Sequence, residues 1–193
     1  MIDGNYMKNI KLISIFLSCI CVNTSIFAHE IGEYYQGGVI FWLDESNNHG
    51  LIAASSDQAR GIKWANRQYT TGAIRDGIYA GKFNSNRIRE ALGPAGNYAA
   101  KVAASCKDGG YNDWYLPSKY ELNLMFKQRY IIGEFNVYAG PVDSSCKAYW
   151  SSTEVGVEQA WYQLFDTGRE FHGSAACGRD GGYGGNVRAI RSF

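Results

Sequence analysis

Tyr149-Trp150-Ser151-Ser152-Thr153-Glu154, followed by Ala160-Trp161-Tyr162-Gln163-Leu164-Phe165, decides how this chain is read. In the first stretch Tyr149, Ser151 and Thr153 alternate with Trp150 and Ser152. In the second Trp161, Gln163 and Phe165 alternate with Tyr162 and Leu164. A period of two is that of a pleated strand. Asp166-Thr167-Gly168-Arg169 then predicts a hairpin turn into Glu170-Phe171-His172, and Val187 to Phe193 reads as a closing strand. The last third of the chain is therefore a group of antiparallel strands.

Upstream, helices intervene. Ser118-x-x-Glu121, preceded by Pro117, is a capping box, in which the Ser118 hydroxyl accepts from the Glu121 amide while the Glu121 carboxylate reaches back. Leu122, Met125 and Phe126 follow as its apolar face. Phe83 to Leu92 repeats at helical spacing through Ile88, Ala91 and Leu92, with Asn84 or Ser85 as N-cap and Gly93-Pro94 as the stop. Tyr98 to Cys106 is Ala-rich and helical. Earlier still, Val39-Ile40-Phe41-Trp42-Leu43 and Leu51-Ile52-Ala53-Ala54 flank the turn residues Ser46 to Gly50 and predict a hairpin, with Ile62-Lys63-Trp64 as a short strand. Hairpin, helices, then strands is the order of an α+β domain, here with twisted antiparallel strands and two to three helices.

The first 28 residues are expected to stand apart from that domain. Met7-Lys8-Asn9-Ile10-Lys11 is a short basic start, Leu12 to Val22 is largely apolar, and Asn23 to Ala28 turns polar and ends small. That order is a secretory signal peptide with cleavage after Ala28, leaving one domain over 29–193 and no membrane span after cleavage. Cys19 as a lipid-attachment site fits poorly with Phe16 at the place it holds. Export predicts a secreted or cell-surface protein, with the periplasm as the other destination.

Removing residues 1–28 takes Lys8 and Lys11 from 19 basic residues and Asp3 from 18 acidic ones, leaving 17 of each. A neutral domain has no global pull toward nucleic acid or an anionic membrane. Cys106, Cys146 and Cys177 remain, and an exported chain can bridge two of them in any of three pairings. Cys146–Cys177 is favoured, because both lie in Gly/Ser-rich loop sequence, while Cys106 ends an apolar helix pattern. His29, His49 and His172 lack metal-ligand spacing, and no Gly-x-Ser-x-Gly elbow surrounds Ser151-Ser152. No catalytic set, metal site or cofactor is expected.

Several motifs match a known pattern together: Tyr35-Gln36-Gly37-Gly38-Val39-Ile40-Phe41-Trp42, His49 to Ala54, Asp113-Trp114-Tyr115-Leu116-Pro117-Ser118-Lys119-Tyr120-Glu121-Leu122, Tyr149 to Glu154, Ala160-Trp161 and Val187 to Phe193. With these the sequence resembles the C-terminal domain family of the Legionella collagen-like adhesin, over nearly all of the chain from Ile31. The resemblance implies a variant of the C-type-lectin fold and an extracellular, non-catalytic binding module. It implies sulfated glycosaminoglycan, or another host or biofilm polysaccharide, as ligand. Homo-oligomers are known in the family, but the collagen stalk that would hold three chains is not in this sequence. Asn112-Asp113-Trp114 carries the residues of a lectin calcium strand in another order, and no Glu-Pro-Asn loop accompanies it.

Sulfate-like groups select clustered Lys and Arg. The candidate ligand-binding residues are Lys147, Arg169 and Arg179, with Tyr183 as a stacking platform; Arg188 and Arg191 belong to the same distal region. Arg60, Lys63 and Arg67 beside Trp64 form a second basic group, and Arg87 and Arg89 a third. Trp161 is expected to pack within its strand. The alternatives are a protein–protein module of the cell envelope, with a host surface protein as one such partner, and an enzyme on the related fold of the sulfatase-activating enzymes, which use cysteines. Specificity is expected in the loop Gly173 to Gly185, which holds six glycines.

Overall fold

The computed structural model describes residues 28–65, 69–135, 147–157, 159–173 and 184–193. The expected signal peptide up to residue 27, both cysteines of the favoured disulfide (Cys146 and Cys177), Arg67, Arg179 and Tyr183 lie outside the described residues. Within them the chain is a mixed α+β structure of four helices and two sheets.

The strands β1 (Tyr34–Tyr35), β2 (Gly38–Leu43) and β3 (Gly50–Ala54) come first, followed by β4 (Ala59–Ile62). The helices α1 (Ala80–Leu92), α2 (Ala99–Ala104), α3 (Lys119–Lys127) and α4 (Arg129–Ile132) follow. The chain then returns through β5 (Ala148–Gly156), β6 (Gln159–Leu164), β7 (Glu170–Gly173), β8 (Gly185–Val187) and β9 (Ile190–Ser192). One sheet has the order β1-β2-β3-β9 and the other β4-β8-β5-β6-β7. Their pairings are antiparallel except β5 with β8, which meet in parallel at Tyr149 and Asn186.

The predicted hairpins are present. Leu43 pairs with Gly50 and Ile40 with Ile52, with an irregularity at Phe41. At the β6–β7 turn, Gly168 donates to the Leu164 carbonyl at 2.8 Å and has φ +76°. That left-handed conformation suits glycine, and a Cβ there would also strike the Phe126 ring of α3.

Three expectations need correction. α1 begins at Ala80, six residues before Asn86, so Asn84 and Ser85 are buried inside the helix rather than capping it. The Val187–Phe193 stretch is not one strand. It breaks at Arg188-Ala189 into β8 and β9, which belong to different sheets. The alternation in Tyr149 to Glu154 does not separate core from solvent, because all of these residues are buried. It separates two cores. Trp150 joins Ile40, Ile52, Ile88, Leu92 and Leu116 in one, and Tyr149 joins Phe41, Leu51, Leu122, Met125 and Phe165 in the other. β2 and β3 divide their side chains in the same way, so these strands are covered on both faces, each large side chain adding roughly 1.5–3 kcal/mol.

The helices are tied to this framework by one carboxylate. Ser118 caps α3 as predicted, its Oγ accepting from the Glu121 N–H at 3.2 Å while Glu121 Oε2 accepts from the Ser118 N–H at 2.8 Å. Glu121 Oε1 also accepts from the Tyr79 N–H at 2.7 Å, and Oε2 from the Gly81 N–H at 3.1 Å, so the same side chain holds the start of α1. Tyr79 occupies that N-cap position with φ +63° and no side-chain cap of its own. A Cβ on Gly81 would collide with Glu121 Oε2, which accounts for glycine in the first turn. His29 packs near the last residue: its ring lies 5.1 Å from Phe193, and Phe193 and Gly50 exchange backbone hydrogen bonds.

Glu121 is fully buried, and burial pushes its carboxyl up to about 7, against the backbone donors that pull it down. The folded state therefore binds this proton more tightly than the unfolded chain, with its ordinary value of 4.5. The resulting stabilisation is complete below pH 4.5 and is lost as pH rises to about 7. In urea unfolding across that range, the stability difference between the native chain and Glu121→Gln is expected to shrink as pH rises. A difference that stays constant would contradict the assignment.

Candidate functional site

Beyond α3 in the chain, α4 borders a cavity of about 560 Å³. Among the described residues, Arg129 and Tyr130 of α4, Gly133-Glu134-Phe135 just beyond it, and Phe165-Asp166 at the end of β6 line this space. Its floor is aromatic. Phe135 and Phe165 have ring centroids 4.7 Å apart, and Tyr149 lies 4.4 Å from Phe165 and 5.3 Å from Phe135. Phe126 meets Phe165 edge-on at 5.5 Å.

Arg188 builds the wall behind Phe135. Its side chain is completely buried and pairs with Asp57 at 2.8 Å. Nη2 donates to the Glu134 carbonyl at 2.7 Å and Nη1 to those of Ala54 and Ser55 at 3.0 and 3.2 Å. The guanidinium carbon sits 4.2 Å from the Phe135 ring centroid. Burial raises the Asp57 carboxyl, while Arg188 and the Tyr149 hydroxyl, which donates to Asp57 Oδ2 at 2.9 Å, work to lower it.

The charges at the rim differ in their partners. Lys147, a predicted ligand-binding residue, stands 2.9 Å from Asp166. Burial works against ionisation of Asp166, but the hydrogen bond and charge of Lys147 outweigh it and hold the carboxyl below its ordinary value. Arg129 has no carboxylate within ion-pair distance among the described residues. Its Nη1 donates to the Phe126 carbonyl at 3.1 Å and its Nη2 to the Tyr130 hydroxyl at 2.9 Å. Its guanidinium carbon lies 4.0 Å from the Phe126 ring and 4.2 Å from the Tyr130 ring. Tyr130 itself is 84% exposed.

The other basic candidates fall elsewhere. Arg169, also predicted to bind ligand, is exposed in the β6–β7 turn, 4.9 Å over Phe171, and does not line the cavity. Arg188 and Arg191 are buried and so are framework residues rather than surface cations. Arg191 grips Asp113 with Nε at 2.8 Å and Nη2 at 3.1 Å, bonds Gln36 Oε1, and lies 3.8 Å over Tyr111. The Asp113 carboxylate, considered as part of a calcium strand, is taken by that pair. Arg60 is exposed 3.7 Å from Asp57, and Arg87 pairs with Glu90 at 3.3 Å. Lys63 and Arg89 are exposed. Trp161 is half-buried, with the Lys119 ammonium 3.9 Å over its ring and His172 at its edge.

The groups considered for covalent chemistry are committed to packing. The Cys106 thiol is free and buried, and burial pushes it up to about 11, so it stays protonated at neutral pH. Ser151 Oγ donates to the Trp161 carbonyl, Ser152 Oγ to that of Pro117 and Thr153 Oγ1 to that of Arg75. Arg129, Tyr130 and Phe135 carry no sequence-based expectation, and Asp166 is read there only as a turn residue. The one local signal was a basic-aromatic pair, Arg129-Tyr130, directly after the apolar face of α3.

No protein-family model matches the chain, and no curated protein matches it. Among the described residues no helix is long and apolar enough to cross a membrane.

Arg188→Ala strands the buried Asp57 carboxylate and frees the carbonyls of Gly133 and Glu134. It is expected to cost about 3–5 kcal/mol in denaturant unfolding, as breaking a buried pair does. Arg188→Lys should recover only part of this, since a single ammonium cannot reach both sides of the wall. A loss below about 1 kcal/mol would fit an exposed pair instead.

Proposed function

We propose that this chain is an exported, non-catalytic binding module on a C-type-lectin-like framework, related to the C-terminal domain of the Legionella collagen-like adhesin, and that it recognises polysaccharide. The observation that carries this reading is the cavity beside α4, lined by the aromatic residues Tyr130, Phe135 and Phe165, by Arg129, and by the acidic residues Glu134 and Asp166, the latter paired with Lys147. Sugars are held by such sites through ring stacking on aromatic faces and hydrogen bonds to fixed polar groups. Sulfated glycosaminoglycan is the leading polymer, because a guanidinium matches sulfate geometry. The pairing of Lys147, Lys119 and Arg87 with carboxylates limits how many cations such a polymer would meet. The non-catalytic part is supported by the protonated Cys106 thiol and by hydroxyls already donated to backbone carbonyls.

A specific observation also favours a protein partner. Tyr130, Ile131 and Ile31 are exposed, and Ile131 reaches back to Gly32, which makes an apolar strip beside the cavity. In that reading the module joins a surface or envelope protein and needs no glycan.

Chromatography separates the two. A sulfated-glycan binder is expected to be retained on immobilised heparin at low salt and to elute at moderate salt, because exposed charge contacts are screened over a Debye length of about 8–10 Å. Double charge reversal at Lys147 and Arg169 should shorten that retention. Passage through heparin and through neutral polysaccharide columns alike, at low salt, would leave the protein-partner reading standing.

A further inference from the structure

We propose that the mature amino terminus is a copper(II) site, in which the α-amino group and Nδ1 of His29 and the carboxylate of Glu33 hold one metal ion. The site rests on the export reading, in which cleavage after Ala28 makes His29 the first residue. It asks nothing of the polysaccharide reading or of the cavity beside α4.

Three observations converge on this place. His29 Nδ1 and Glu33 Oε2 stand 2.9 Å apart. Two ligand atoms at right angles, each about 2.0–2.1 Å from one ion, are themselves separated by about 2.9 Å, so this pair can share a metal without rearranging. Second, both groups are held in position. The His29 ring lies 4.2 Å from Tyr35 and 5.1 Å from Phe193, and the Glu30 N–H donates to the same Glu33 oxygen at 3.3 Å. The carboxylate therefore stands against the ring of His29 and against the main chain that follows it. Third, the His29 nitrogen donates to the Asn47 carbonyl at 3.2 Å, which fixes it on the β2–β3 turn. Inside a longer chain that nitrogen is an amide, and its lone pair is delocalised into the carbonyl. After cleavage it is an amine. Its lone pair can then bind a metal while an amine hydrogen keeps the bond to Asn47.

The donor set selects the ion. The amine and Nδ1 of one histidine close a chelate ring around a metal, and Glu33 adds an oxygen. Two nitrogens and a carboxylate suit the tetragonal preference of Cu(II), which also stands at the top of the affinity order for such sites. Binding displaces the proton of the α-ammonium group and needs a neutral imidazole; no electron is transferred. The His29 and Glu33 side chains are 22% and 38% exposed, so an ion reaches them from solvent. Among the described residues no group of three His, Cys, Asp or Glu side chains is placed to hold a metal ion. Here the third ligand is a main-chain nitrogen, which the spacing of side chains along the sequence does not reveal.

The test uses copper(II) chloride and the protein as exported and processed by its host, with the intact mass identifying its first residue. Titration against excess glycine as a competing chelator is expected to load one Cu(II) per chain, with electron paramagnetic resonance showing nitrogen ligation. A Gly/Ser extension in front of His29 turns the amine into an amide and should weaken binding about 100-fold, as the loss of a chelate arm does. Glu33→Gln should weaken it about 10-fold. Glu30→Gln removes an equal charge nearby and should change nothing. Far-ultraviolet circular dichroism of each variant checks that the fold is kept. Equal copper binding by the extended chain, or no binding by a chain that begins at His29, would overturn the site and leave export standing. An unaltered affinity in Glu33→Gln would reduce it to the chelate of any amino-terminal histidine and overturn the built site. A mature chain that begins at another residue lacks the amine and overturns both the site and cleavage after Ala28. Retention on polysaccharide columns is independent of all these outcomes.

Discussion

A guanidinium with no access to water stays in a protein interior only if its charge and its donors are all met. Arg188 satisfies that condition by gathering two distant stretches of the chain: Ala54 to Asp57 between β3 and β4, through two carbonyls and a carboxylate, and Gly133 to Phe135 after α4, through two carbonyls and a ring. The two sheets diverge at this residue, since β8 lies on one side of it and β9 on the other. The cavity wall, the end of α4 and the sheet crossing thus share one dependency.

The same economy of charge runs through the molecule. Arg191 is held against Asp113, and Glu121 collects backbone donors from the starts of two helices. Charges that would suggest a basic binding face in a linear reading are used instead as internal fasteners. Among the described arginines Arg188 and Arg191 are buried, whereas Arg60, Arg75, Arg87, Arg89 and Arg169 stay exposed.

What was legible in the sequence was local. The β2–β3 hairpin, the Ser118–Glu121 capping box and the Gly168 turn each depend on residues a few positions apart, and each formed as read. α1 was misread at its start because its cap is supplied from 40 residues away by Glu121, and no neighbouring Ser or Asn reveals that. The closing strand was misread because Val187 to Phe193 was taken as one run, although the adjacent Ala189-Ile190 interrupts its alternation at the place where β8 gives way to β9. Of the proposed ligand residues, neither Lys147 nor Arg169 lines the cavity; Lys147 meets it only through its pair with Asp166. Arg129 and Phe135 were invisible, since their meeting with Phe165 requires α4 to fold back against the end of β6. Short helices of four residues carry too little periodicity to announce themselves.

The contact between His29 and Phe193 has a consequence for architecture. A fold in which His29 and Phe193 touch can be spliced into the loop of another polypeptide without spreading that loop apart. It can equally be cut at a surface turn and rejoined through its old ends.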